Sequence, residues 1–251
     1  MTQDRSAGLP TPYARWLYLP KTPDTEPLSP EETATFENAR TTLIETRDKA
    51  LQQIGHADGP FLVLNAEGAR PPLFWCFNNW AEAILLARKL GPDQPLYALH
   101  SLNRTTRSRR MKVRLQEPLA GRYAEAIVRV GGSDRPVTIG GNCQAAPIAE
   151  ATAHAVMRAG APPPLLITLE FIPRRAYPGP LHMMFGDQSR PFNPFLSEVD
   201  PVDCWRRQHV RFDWSQIPGG HGQYFREPSI SALADRIDAA RTWAGEAYTQ
   251  P

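Results

Sequence analysis

The sequence predicts an α/β fold: a mostly parallel sheet covered by helices on both faces. Three observations carry that reading. Short, continuously apolar, β-branched runs alternate with helical patterns, as strands buried on both faces do. One such run, Val137–Thr138–Ile139, passes through Gly140–Gly141–Asn142–Cys143–Gln144–Ala145 straight into a helical pattern at Ala149–Arg158. The last apolar run is followed by Pro218–Gly219–Gly220–His221, a glycine-rich loop ending in a titratable side chain.

The elements follow in order. Residues 1–28 are rich in Pro, Thr and charge and hold an aromatic cluster, Tyr13, Trp16, Leu17 and Tyr18, expected to pack on something. Ser29–Pro30–Glu31–Glu32 opens a helix, with a Ser cap, Pro at the first position and Glu three after the cap. That helix is expected to run to about Gln53, with Gly55–Pro60 breaking it. Phe61–Asn65 and Leu73–Asn78 read as strands, Trp80–Leu90 as a helix closed by Gly91–Pro92, and Pro95–His100 as a third strand. Leu119–Val130 is a helix closed by Gly131–Gly132. Arg135–Ile139, Pro164–Glu170, Leu181–Phe185 and Gln208–Trp214 are further strands, and Ile230–Ala247 is a closing amphipathic helix. The domain reading is an N-terminal arm and helix, 1–60, packing on or capping a core of 61–251.

Composition narrows the function classes. The length of 251 residues suits one α/β domain with ample core. A net charge of +2 predicts no bulk attraction to nucleic acid. No apolar run reaches the ~20 residues of a membrane span, and the first residues lack a signal-peptide pattern, so no membrane partner is expected. Cys76, Cys143 and Cys204 are odd in number, widely spaced and form no zinc pattern; no metal is expected, and a reducing, cytoplasmic location is.

Strand, tight turn and helix around Cys143 is the context of the nucleophile elbow of α/β-hydrolases, in which small residues two before and two after the nucleophile let strand and helix approach. Gly141 and Ala145 stand at those places, and a thiol stands at the centre. The plainer reading of Cys143 is a small buried residue closing a strand. The elbow order is nucleophile, acid, histidine. His221 falls where the base belongs; an exposed loop histidine is the plainer reading. For the acid, Glu170 ends the strand after the elbow, 27 positions beyond Cys143, and is preferred; Asp187, after the next strand, is the second choice. One oxyanion donor is expected from the N–H of Gln144, and the other from Asn78 in the loop after the second strand, although ordinary turn chemistry also explains Asn78 and Asn79.

Several segments together resemble the thioesterase family of nonribosomal peptide and polyketide synthases, within the α/β-hydrolases. They are Pro72–Leu73–Phe74, the passage from Leu90–Gly91–Pro92 through Asp93–Gln94–Pro95 to Leu99, Tyr123–Ala124–Glu125–Ala126–Ile127, Gly140–Gly141–Asn142–Cys143, Pro218–Gly219–Gly220–His221 and Arg226–Glu227–Pro228. The resemblance covers roughly residues 61–247. It implies a carrier-protein partner, a substrate held on the carrier's 4'-phosphopantetheine and no bound cofactor. It maps the acid to Glu170, where the family usually has Asp. Other departures are Cys143 in place of serine, Phe77–Asn78–Asn79–Trp80 in place of a His-Pro-x-Gly-Gly loop, and a nearly missing lid. Only residues 171–180 join the acid strand to the next, and their prolines forbid a helix of any length. The N-terminal 60 residues are available to shape the acyl pocket instead.

A cysteine turns thioester into thioester, so the acyl group stays activated for transfer, cyclisation or hydrolysis. His221 is expected to lower the thiol's pKa through an ion pair, helped by the following helix N-terminus. Arg104, Arg107, Arg109, Arg110, Lys112 and Arg114 form a basic run on the same sheet edge as the elbow, with Arg174 and Arg175 nearby. Arg107, Arg109, Arg110, Arg174 and Arg175 are the expected docking residues for carrier and phosphopantetheine; a solvated loop is the alternative. For the whole chain the alternatives are a non-catalytic carrier-binding module and a small-molecule ester or lactone hydrolase.

Overall fold

The structure, a computed structural model, describes residues 26–51, 55–103, 105–106, 108–196 and 200–249. The aromatic cluster at Tyr13–Tyr18 and the basic residues Arg104 and Arg107 lie outside them.

Helix α1 (Pro30–Leu51) opens on the expected capping box: the Glu32 N–H donates to Ser29 Oγ at 3.2 Å, and the Ser29 N–H donates to Glu32 Oε2 at 2.8 Å. Then come β1 (His56–Asp58), β2 (Phe61–Leu64), β3 (Leu73–Phe77), α2 (Trp80–Leu90), β4 (Leu96–His100), α3 (Arg109–Arg114), α4 (Gln116–Gly131) and β5 (Thr138–Asn142). The second half holds α5 (Ala146–Arg158), β6 (Leu165–Leu169), β7 (Pro180–Gly186), α6 (Val202–Gln208), β8 (Arg211–Ile217) and α7 (Ser229–Thr249). One eight-stranded sheet runs in the order β1-β2-β4-β3-β5-β6-β7-β8. The pairs β1–β2 and β2–β4 are antiparallel; every pair from β4 across to β8 is parallel. The fold class is the one expected.

Alternation along each strand divides the core between the two faces. Phe61, Val63, Phe74, Cys76, Ile139 and Leu166 point to one face, where α4 and α5 bring Tyr123, Ile127, Ile148 and Val156 and α1 brings Phe36 and Leu43. Leu62, Leu64, Trp75, Phe77, Ile167 and Met184 point to the other, under Leu86 of α2 and Leu233 and Ile237 of α7. Helix α1 therefore shares the first core instead of lying over the sheet as a separate cap.

Four local readings change. His56–Asp58, read as part of a break, is a short edge strand. The basic run forms α3 from Ser108, whose hydroxyl accepts the Met111 N–H at 3.2 Å. Residues 202–208 form α6, so the last strand begins at Arg211. The elbow strand runs on through Gly140 and Gly141 to Asn142, because Trp75 of the neighbouring strand covers the place where a Cβ on Gly140 would sit. Residues 171–179 hold no helix, as expected. No described helix is long and apolar enough to cross a membrane.

Candidate active site

Cys143, Gln144, Glu170, Asp187 and His221 gather at the carboxyl ends of the parallel strands, where open α/β sheets place their ligands. Cys143 follows β5 immediately and opens a 3-10 turn, Cys143–Ala145, that feeds α5. Its φ is +50°, in the left-handed region that costs a non-glycine residue about 1–3 kcal/mol and is held only where the surroundings impose it. The close approach expected of the elbow is present: a Cβ on Gly141 would lie 2.9 Å from Ala149 Cβ and 3.0 Å from Ala146 Cα.

Glu170, directly after β6, also has a positive φ, +60°. Its carboxylate is fully buried, and four donors surround it. Oε1 accepts the Gly186 N–H at 3.1 Å and the Tyr224 hydroxyl at 2.5 Å; Oε2 accepts the Ser189 hydroxyl at 2.7 Å and faces His221 Nδ1 at 2.9 Å. Neither Tyr224 nor Ser189 had a role in the sequence reading. They complete a cage for a side chain one methylene longer than aspartate. Burial first, and then the hydrogen bond to Glu170, push the Tyr224 hydroxyl pKa up, which keeps it a donor.

Asp187 stands differently. Its Oδ1 accepts the Gly219 N–H at 2.8 Å. The Gln188 N–H donates to the Gly219 carbonyl at 3.2 Å and the Asp187 N–H to the Ile217 carbonyl at 2.9 Å. These bonds tie the loop after β7 to the loop that carries His221. Gly219 and Gly222 of that loop have φ of +103° and +83°, so it bends back over the strand ends. The His221 ring stacks on Phe192 at 4.3 Å and is 45 % exposed. Cys143 Sγ lies 3.8 Å from the same Nδ1 that faces Glu170.

The thiol corrects one expectation. Its pKa is pushed up to about 12, by burial first and then by the charges of Glu170 and Glu82. Burial and the two carboxylates thus disfavour the thiolate that an ion pair with His221 was expected to favour. A base must take the proton as sulfur attacks.

Asn78 corrects another. Its N–H donates to Glu82 Oε2 at 3.1 Å and is not turned toward the thiol. Glu82, in the first turn of α2, also accepts Asn142 Nδ2 at 3.2 Å and Asn79 Nδ2 at 2.9 Å, while its own N–H donates to Asn79 Oδ1 at 3.1 Å. Burial raises the Glu82 pKa and these donors partly offset it. The Asn78 side chain is committed as well: Nδ2 donates to the Asn142 carbonyl at 3.1 Å and Oδ1 accepts the Ser101 hydroxyl at 3.1 Å. Trp75 Nε1 reaches Asn142 Oδ1 at 3.2 Å. The loop after β3 thus braces the elbow from below. Gln144, in the first turn after Cys143, lines the cavity over the thiol.

A cavity of about 590 Å³ opens over Cys143, within the size of small-molecule sites. Its wall comes from Leu102 and Asn103 after β4 and from Arg109, Lys112, Val113 and Gln116 of α3 and α4; Phe171 and Phe192 close other sides. None of residues 26–51 or 55–60 lines it, so the described part of the N-terminal region does not shape the pocket. Of the residues expected to dock a carrier, Arg109, Arg174 and Arg175 line the cavity. Arg110 faces away, toward a second hollow beside Glu26 and Glu32. Arg175 is not a free docking charge: it pairs with Glu117 at 3.0 Å and approaches Glu150 at 3.7 Å.

Solved structures share this architecture. The NocB thioesterase domain from the nocardicin cluster superposes with a TM-score of 0.57 at 18% identity, covering 74% of this chain and 100% of that one. The surfactin-cyclising thioesterase domain SrfTE gives 0.53 at 11% identity, over 74% and 97% of the two chains. RedJ, a thioesterase of the prodiginine pathway of Streptomyces coelicolor, gives 0.53 at 16%, over 68% and 86%. No protein-family model and no curated protein matches the sequence. The chain has the α/β-hydrolase fold seen in thioesterase domains.

Proposed function

We propose that this chain takes an acyl, aminoacyl or peptidyl group from a carrier-protein phosphopantetheine thioester onto Cys143, then transfers, cyclises or hydrolyses it. The observation that carries the reading is the contiguous arrangement Cys143, His221 and caged Glu170 at the mouth of one cavity, on a fold whose solved neighbours include a thioesterase domain that cyclises surfactin.

Each group has a role. Sγ of Cys143 attacks the thioester carbonyl, its proton passes to His221, and the imidazolium then protonates the departing pantetheine sulfur. Glu170, with no freedom to move, holds the Nδ1–H and stabilises the imidazolium. Base catalysis needs Nε2 to face sulfur while Nδ1 stays on Oε2. The exposed ring and its flanking glycines leave room for that turn. The Gln144 N–H meets the carbonyl oxygen as charge develops on it. The product is again a thioester, nearly isoenergetic with the first, so the acyl group remains activated for a second thiol, an amide nitrogen or water.

One observation favours a non-catalytic carrier-binding module: the Asn78 amide is spent on Glu82, leaving a single evident oxyanion donor. Intact mass after incubation with S-acyl N-acetylcysteamine separates the two. Loading should add one acyl mass to the wild type and none to Cys143→Ala. Cys143→Ser should retain hydrolysis but lose transfer, because the acyl group drops to the ester level. A wild type that takes up no acyl group from any thioester would favour the module, and equal transfer by the Ser and Cys forms would sink the exchange argument.

A further inference from the structure

The charges lining the cavity are unevenly matched. Three carboxylates line it, and each is committed. Glu170 sits in its cage. Glu117 takes Arg175 at 3.0 Å and Arg158 at 3.3 Å. Glu150 accepts the N–H groups of Arg174 and Arg175, both at 3.1 Å. On the facing wall, Arg109 and Lys112 stand one helical turn apart on α3, followed by Gln116 at the start of α4. Neither Arg109 nor Lys112 has a carboxylate partner among the described residues. The cavity over Cys143 therefore offers two cations without an ion pair among the described residues, Arg109 also bordering the second hollow beside Glu26 and Glu32, and no uncommitted anion.

We propose that Arg109 and Lys112 form an anion-binding wall that selects an acyl group carrying its own carboxylate. The inference rests on the thioester reading above and deepens it by naming a substrate class. Two like charges facing one cavity repel each other, and a carboxylate placed between them relieves that repulsion while gaining charge-assisted hydrogen bonds. The guanidinium fork of Arg109 suits a bidentate carboxylate, and Lys112 adds a point charge. A phosphate would offer the same chemistry, and the pantetheine arm carries one. Length argues against that source. About a dozen bonds, roughly 15 Å of chain, separate the arm's sulfur from its phosphate. The cavity that holds both the thiol and this wall has a volume of about 590 Å³. An anion bound in the cavity that holds the thiol is thus a few bonds from the thioester carbon, on the acyl side.

The test compares glutaryl and glutaramyl thioesters, which are matched in size and differ by one negative charge. Each is offered as the N-acetylcysteamine and the coenzyme A form, and acyl loading of Cys143 is followed by intact mass. Glutaryl should load about tenfold faster in both forms, the scale of one charge-assisted hydrogen bond, and R109Q/K112Q should bring the ratio near one. A ratio near one in the wild type overturns the proposal. So does a preference for coenzyme A over N-acetylcysteamine that ignores acyl charge and disappears in the double variant, since the cations would then read the carrier arm. A second measurement does not need the chemistry: titration of Cys143→Ala with glutarate and with glutaramate. Tighter binding of glutarate, lost in Cys143→Ala combined with R109Q/K112Q, upholds the wall even where no thioester loads, and in that event only the thioester reading falls. Equal binding of the two overturns the wall.

Discussion

Two carboxylates flank Cys143, and they are put to opposite uses. Glu170 spends three hydrogen bonds on fixed donors, Gly186, Ser189 and Tyr224, and the fourth on a titratable ring beside the thiol. Glu82 spends its bonds on amides, those of Asn78, Asn79 and Asn142. The first therefore delivers charge to a group that can carry a proton. The second takes up the Asn78 N–H that was expected to meet an oxyanion. Burial raises the thiol's pKa most, and both carboxylates add to that by proximity, so disfavouring the thiolate is the common cost of two different arrangements.

The sharpest way to break the comparison is Glu170→Gln. Acyl loading should slow by a factor on the order of 10 to 10³, because the imidazolium loses its charged partner. Alkylation by iodoacetamide at a fixed pH near 8 should instead become faster. The sign follows from the charges: a nearby carboxylate disfavours the thiolate, so removing it lowers the thiol pKa and raises the reactive fraction. In the wild type, alkylation should climb with pH through 10 without a plateau, as a thiol pushed up to about 12 requires. A plateau near pH 7 would mean that a stable ion pair exists after all.

Glu82→Gln should move the same quantities less. A glutamine keeps one acceptor but sets its NH₂ against a donor, so melting should show a loss of about 1–3 kcal/mol. Alkylation should rise by a smaller factor than in Glu170→Gln, since Glu170 is the stronger of the two influences on the thiol. Loading should fall by less than in Glu170→Gln. A loss of loading as deep as that of Glu170→Gln would place Glu82 in the chemistry and end the contrast.

The fold, and the segments that bring Cys143, Glu170 and His221 together, were legible because their signals are local. Apolar alternation marks strands, and Gly141 and Ala145 around Cys143 mark a turn where backbone must approach backbone. Gly219–Gly220–His221 marks a loop that bends back. What the sequence hid depends on contacts between distant segments. Tyr224 and Ser189 reach Glu170 from two different loops, 54 and 19 positions away, and neither has a motif. Asn78 stands after the second strand of the sequence reading, where an oxyanion donor was expected, and its N–H is bonded instead to Glu82, four residues on. The basic run looks like one patch in sequence, yet a single helix turns Lys112 to the cavity and Arg110 to the far side, with Arg109 bordering both. Pairing of Arg175 with Glu117, 58 positions apart, was equally invisible.

The smallest expected effect sharpens the division of labour between the two acids after the elbow. Asp187 accepts the Gly219 N–H through Oδ1 at 2.8 Å and makes no bond to His221. An asparagine presents the same acceptor to the same amide, so Asp187→Asn should leave loading within about twofold, and melting nearly unchanged, because a neutral amide bond replaces a charged one at little net loss. Asp187→Ala removes the acceptor and leaves the Gly219 N–H without it. It should cost about 1 kcal/mol in melting and slow loading modestly, since the loop holding His221 over Cys143 then rests on the two remaining backbone bonds from Asp187 and Gln188. The contrast between the two substitutions is the informative reading: a geometric anchor tolerates Asn and not Ala, whereas a charge partner for the base tolerates neither. Equal, deep losses in both, with Glu170→Gln silent, would transfer the orienting role from Glu170 to Asp187.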